Sequence, residues 1–196
     1  MPETPGSLQT TIEACTLCAE HLPHSPRPVT SWHPKSRILV IGQAPGRAVH
    51  ESGVPWNDPS GRLLRQWLNC SEQEFYNPEL FALMPMGFCY PGKGTSGDLP
   101  PRAECAPAWH GRILGFLKQV EITLLIGRYA QQHYLGDRFG PTLTESVKRY
   151  RDFLPEFLPL PHPSPRNRRW LADRPWFEEE VVPELRQRVD RAIRRS

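Results

Sequence analysis

The sequence predicts an α/β fold in which a parallel β-sheet is covered by helices on both faces. Three observations carry that prediction. Short β-branched apolar runs end at glycine, helical periodicities lie between them, and the 196 residues suffice to bury a sizeable core. The first strand is Arg37-Ile38-Leu39-Val40-Ile41, closed by Gly42 and followed by the Gly/Pro loop Gly42-Gln43-Ala44-Pro45-Gly46. Gly61 to Leu68 repeats Leu63, Leu64, Trp67 and Leu68 at helical spacing. Leu80 to Met86 reads as a second strand, entering a long loop from Phe88 to Arg102 rich in Pro and Gly. A helix is expected over Glu104 to Val120, with Ile113, Leu114, Phe116 and Leu117 inward. Ile122 to Ile126, ended by Gly127, is the third strand, and Phe157 to Pro161 delivers a fourth into His162-Pro163-Ser164. In such sheets ligands bind beyond the carboxyl ends of the strands. Both the Gly42–Gly46 loop and His162-Pro163-Ser164 fall at such ends.

The chain reads as a single domain over residues 1–196, with a charged helical extension over 170–196. Hydrophobic residues make up 38% and charged residues 23%, a globular balance rather than a disordered one. The 23 prolines are scattered without repeat, so they mark rigid loops rather than a low-complexity tract. A net charge of +3 permits a polyanionic partner without demanding one. The amino terminus lacks a basic stretch followed by an apolar one, and the longest apolar runs are too short to cross a bilayer. The expectation is a cytoplasmic protein with no membrane partner. Disulfides are disfavoured in that compartment, which turns attention to metal binding or buried thiols.

Of five cysteines, Cys15 and Cys18 form a C-x-x-C pair, while Cys89 and Cys105 flank the Pro/Gly-rich loop. Four thiolates from two distant segments suit either a tetrahedral zinc or a [4Fe–4S] cluster, and sulfur count does not separate these metals. Cys70 has no partner in this pattern and reads as structural.

These residues resemble a known family. The early Cys15-x-x-Cys18, the loop Gly42-Gln43-Ala44-Pro45-Gly46, the segment Ser52-Gly53-Val54-Pro55-Trp56, the spaced Cys89 and Cys105, and His162-Pro163-Ser164 occur in the order seen in the uracil-DNA glycosylase superfamily. The likeness is strongest to its iron–sulfur branches in bacteria and archaea, families 4 and 5. The resemblance implies a central four-stranded parallel sheet flanked by helices, and a [4Fe–4S] cluster on Cys15, Cys18, Cys89 and Cys105. It implies DNA carrying a damaged or modified base as partner, and a monomer. It further implies that Gly42, Ala44, Pro45, Gly46, Trp56 and Ser164 border an extruded base, with Trp56 as its stacking platform.

On that resemblance His162 donates a hydrogen bond to the leaving base, stabilising charge that develops only in the transition state. Arg166, Arg168 and Arg169 follow in a basic loop suited to phosphate contacts. Water activation falls to Gln43 or Asp58: the family 4 Glu is replaced by Gln43, which orients a water but cannot take its proton. Asp58 resembles the family 5 carboxylate, and Asp58-Pro59-Ser60-Gly61 is also a good helix start. Pro85 stands where these families carry an Asn that reads the base, so the base need not be uracil. Pro85 within a strand also demands a bulge or an edge. At the carboxyl end, Glu178-Glu179-Glu180 leads into Arg186, Arg188, Arg191, Arg194 and Arg195, the pattern of a charged surface helix. The expected activity is hydrolysis of the N-glycosidic bond of uracil or a related base in DNA repair. The alternative is a binding module that keeps fold and cluster but no longer cleaves.

Overall fold

The computed structural model describes residues 2–194. Among these residues the strands are β1 (Ile38–Ile41), β2 (Phe81–Leu83), β3 (Ile122–Ile126) and β4 (Phe157–Leu160). They form a four-stranded sheet in the order β2-β1-β3-β4, with every pairing parallel. Every strand residue is buried, which is why the strands read as unbroken apolar runs. Alternation still divides them: Ile38, Val40, Leu124 and Leu158 face one core cluster, and Leu39, Ile41 and Leu125 face the other. Chain direction places the ends of β1 and β3, where the strand order reverses, on the same rim as the end of β4.

The helices are α1 (Pro5–Glu13), α2 (Arg47–Ser52), α3 (Pro59–Leu68), α4 (Glu72–Phe75), α5 (Cys105–Phe116), α6 (Arg128–Leu135), α7 (Leu143–Lys148), α8 (Arg168–Ala172) and α9 (Val182–Arg194). Leu8 and Ile12 of α1 pack with Trp109 and Ile113 of α5 over the Leu39 face. Leu64, Trp67 and Leu68 of α3 pack with Val182, Leu185, Val189 and Ala192 of α9 over the Val40 face. The result is a three-layer α/β arrangement.

Three expectations change. The second strand is shorter than Leu80 to Met86: it ends at Leu83, at the edge of the sheet, although the N–H groups of Met84 and Met86 still bond to the Val40 and Gly42 carbonyls, both at 2.9 Å. Pro85 lies between these two donors and cannot itself donate, which an edge position tolerates. The helix expected to reach Val120 ends at Phe116, since Leu117 at ψ 59° has left helical geometry. The carboxyl-terminal helix is charged on one face alone. Its other face is part of the core, and Arg186 donates to the carbonyls of Trp67 at 3.2 Å and Gln66 at 3.1 Å, capping α3. Its outer charges pair along the helix, Arg188 with Glu184 at 2.7 Å and Arg194 with Asp190; Arg195 lies outside the described residues. No helix among the described residues is long and apolar enough to cross a membrane.

Candidate active site

The loop after β1 begins at Gly42 because an indole lies against it. A Cβ at Gly42 would sit 2.8 Å from Cζ2 of Trp56. Trp56 has φ 58°, a conformation that costs a bulky residue energy and needs support. Gly61 supplies it: a Cβ there would lie 1.7 Å from the Trp56 carbonyl oxygen. Asp58 fixes the same turn from the other side, its Oδ1 accepting the Gly61 N–H at 2.7 Å as N-cap of α3. The helix-start reading of Asp58 is therefore realised, and the residue also lines the site.

His162 arrives from β4. Its backbone carbonyl accepts from the Ser164 N–H and from the Asn167 amide, both at 2.8 Å. Behind it, buried Gln131 donates to the carbonyls of Leu125 and Leu160 at 3.1 and 2.8 Å, tying the ends of β3 and β4 together. The imidazole comes to 5.8 Å, centroid to centroid, from the Trp56 ring, tilted by 31°. Burial pushes the His162 pKa below its ordinary value, opposed by the Asp58 and Asp98 carboxylates, so the ring is neutral at pH 7.

Gly42, Gln43, Ala44, Pro45, Gly46, Trp56, Asp58, Pro85 and His162 all line one pocket of about 420 Å³, counted out to its open mouth. Residues from the ends of three strands thus meet there. The mouth opens into a wider cleft of about 950 Å³, which Gln43, Asp58 and His162 share with Ser164, Arg166 and Asn167. Gln43 donates from Nε2 to the Leu99 carbonyl at 3.4 Å. Arg166 reaches across the cleft to the Ser96 carbonyl at 3.1 Å, so it closes the rim. Arg168 and Arg169 are exposed beside it, and Arg169 lies 3.8 Å from Asp173. Sequence reasoning missed Val29 and Val49 in the pocket and Asp98 in the cleft. None of these sits in a periodic segment, and Gly97-Asp98 in a glycine-rich loop was the one available signal.

The four cysteines come together elsewhere. Cys15, Cys18, Cys89 and Cys105 line a single cavity of about 390 Å³ with Leu17, Leu22, Phe88 and Trp109. Cys105 is the first residue of α5 and its Sγ accepts the Phe88 N–H at 3.3 Å. Among the described residues no three His, Cys, Asp or Glu side chains form a group that could hold a metal ion; the thiols stand around the cavity instead. Burial raises the Cys89 thiol to about 11 and Cys105 to about 12. Arg102 also lines the cavity, and its buried Nε has no hydrogen-bond partner. Cys70 stands apart, half-buried against the other core, its thiol raised to about 11 by burial.

The chain has likenesses among known proteins. A solved structure of wild-type SMUG2 from Pedobacter heparinus is 14% identical over 81% of this chain and 73% of that one, with a TM-score of 0.30. The profile of the Uracil DNA glycosylase superfamily matches residues 31–186, a span that holds every pocket residue but Val29 together with Cys89 and Cys105, with Cys15 and Cys18 ahead of it. A match over that much of the sequence settles the family: the chain belongs to the uracil DNA glycosylase superfamily.

Proposed function

We propose that this protein is a DNA glycosylase that hydrolyses the N-glycosidic bond of uracil or a related damaged base extruded from DNA. The observation that carries the reading is a pocket that opens into a cleft, with Trp56 inside it beside His162, and Asp58 and His162 at the shared mouth. A base turned out of the stack enters from the cleft and lies against the Trp56 indole, a contact worth roughly 1–3 kcal/mol. As the bond from C1′ to the base nitrogen breaks, the electron pair stays with the base. Neutral His162 donates a hydrogen bond to that developing anion. A water held by Asp58, with Gln43 beside it, supplies its oxygen to C1′ and its proton to the Asp58 carboxylate. Ser164, Arg168 and Arg169 hold the flanking phosphates, with Arg166 setting the rim.

The four-cysteine cavity supports a place for this chain in the iron–sulfur branch of the superfamily. Cys15, Cys18, Cys89 and Cys105 would ligate a [4Fe–4S] cluster, which takes four cysteine thiolates. The donor set fits. Thiols this buried resist ionisation without a cation, and the orphaned Arg102 Nε–H offers a donor to anionic sulfur. When bound, the cluster would tie the amino-terminal segment and the head of α5 to Cys89, four residues from Pro85 in the pocket wall.

The test is incubation of anaerobically purified protein with single- and double-stranded oligonucleotides carrying uracil, hypoxanthine or xanthine. Alkali-sensitive sites are expected with at least one of them. Specific binding of these DNAs without any strand cleavage would favour a module that binds an extruded base without releasing it.

A further inference from the structure

The pocket is polar at its mouth and apolar at its end. Of its lining residues, Gln43, Asp58 and His162 also border the cleft. Those that border the pocket alone are Gly42, Pro45, Val29, Val49, Pro55, Trp56 and Pro85. Their side chains hold one hydrogen-bond donor, the Trp56 indole N–H, and no acceptor. The backbone there is largely occupied as well. Prolines 45, 55 and 85 have no N–H. The Gly42 carbonyl accepts from Met86 at 2.9 Å, the Val49 carbonyl from Gly53 at 2.8 Å, and the Val29 N–H donates to Phe88 at 2.7 Å. The Pro85 carbonyl meets His110 Nε2 at 3.0 Å. A carbonyl can only accept, so Nε2 carries the proton, and Nδ1 accepts from the Tyr134 hydroxyl at 2.6 Å. Of the three proline carbonyls in this wall, that of Pro85 is thus bound to His110 and turned from the pocket.

From this division we infer that the pocket selects a base alkylated on the edge remote from the sugar, an N3-methylated pyrimidine being the simplest of that class. The inference deepens the glycosylase reading and rests on its claim that the pocket holds an extruded base. With the glycosidic bond at the mouth beside His162 and Asp58, the remote edge meets Val29, Val49 and Pro85. The N3–H of an unmodified uracil is buried there facing no side-chain acceptor, and loses its water without replacement. A methyl group at N3 removes that donor and packs on the apolar wall.

The test is binding of the full chain to duplexes that differ at one position, 3-methyl-2′-deoxyuridine against 2′-deoxyuridine, each with a 2′-fluoro sugar to suppress hydrolysis. The methylated duplex is expected to bind about tenfold or more tightly, the discrimination one methyl group supports in an apolar pocket. Pro85→Asn places an acceptor in the wall and should reverse the order; Val49→Thr serves if that variant fails to fold. Equal affinities, tighter binding of the uracil duplex, or no discrimination of either from unmodified DNA overturns the inference. Base release from the natural sugars separates the two claims. Uracil released but bound no less tightly sinks the selectivity and spares the glycosylase. Selective binding of the methylated duplex with nothing released does the reverse.

Discussion

Asp58 carries two duties that two substitutions can separate. One oxygen caps α3 through the Gly61 N–H at 2.7 Å, while the side chain also borders both pocket and cleft. Asparagine caps a helix about as well as aspartate, but cannot accept a proton from water. Asp58→Asn should therefore melt within a degree or so of the parent, and lose about 10²–10⁴ in turnover. Asp58→Ala loses the cap as well. An unreplaced cap costs about 1 kcal/mol, which lowers the melting temperature of a domain this size by roughly 2–4 °C. Thermal melts followed by circular dichroism, run beside single-turnover base release, measure both quantities on the same preparations. Full turnover in Asp58→Asn would refute the carboxylate as proton acceptor and leave Asp58 a helix cap alone. A melting loss in Asp58→Asn equal to that of Asp58→Ala would refute the division of labour.

Other expectations follow from the same geometry. His162→Ala should slow base release by about 10²–10³ while leaving DNA affinity within a few-fold, read from single-turnover rates against binding isotherms. Gly42→Ala drives a Cβ to 2.8 Å from the Trp56 ring, so the indole must move; a changed tryptophan emission spectrum and weaker binding of base-modified DNA are expected, at an overpacking cost of about 1–3 kcal/mol. Buried His110 is held down to about 4 from 6.5 by desolvation, with His133 adding to the effect. The unfolded chain takes up that proton first as pH falls below 6.5, so stability drops from there to about pH 4, by about 3 kcal/mol in full. His110→Gln, which keeps a donor for the Pro85 carbonyl, should flatten that part of a urea-denaturation pH profile. Anaerobic preparations should contain iron and sulfide and absorb as a cluster, and Cys105→Ser should lose that absorbance; a colourless, iron-free parent would remove the cluster.

Much of this was legible because fully buried parallel strands must be continuously apolar. Ile38–Ile41 and Ile122–Ile126 therefore announced themselves, and the functional loops begin where those runs stop, at Gly42 and after Leu160. Asp58 was readable as a helix start because cap chemistry is local. Val29 and Val49 were invisible for the opposite reason. Isolated apolar residues in loops and a short helix carry no period, and the fold alone brings them to one wall. The carboxyl-terminal helix was misjudged because its charges outweighed Val182, Leu185, Val189 and Ala192, which follow helical spacing and are buried on α3 and the sheet. Pro85 was read correctly as needing an edge or a bulge, but not as a residue of the pocket wall.

The most direct test of the central claim is base release in ¹⁸O-labelled water, with the free base and the residual DNA analysed by mass spectrometry. Hydrolysis at C1′ through a water held by Asp58 predicts an intact free base without label beside an abasic site, both abolished in Asp58→Asn. Label in the released base, a covalent protein–DNA product, or no release from any bound DNA would contradict it.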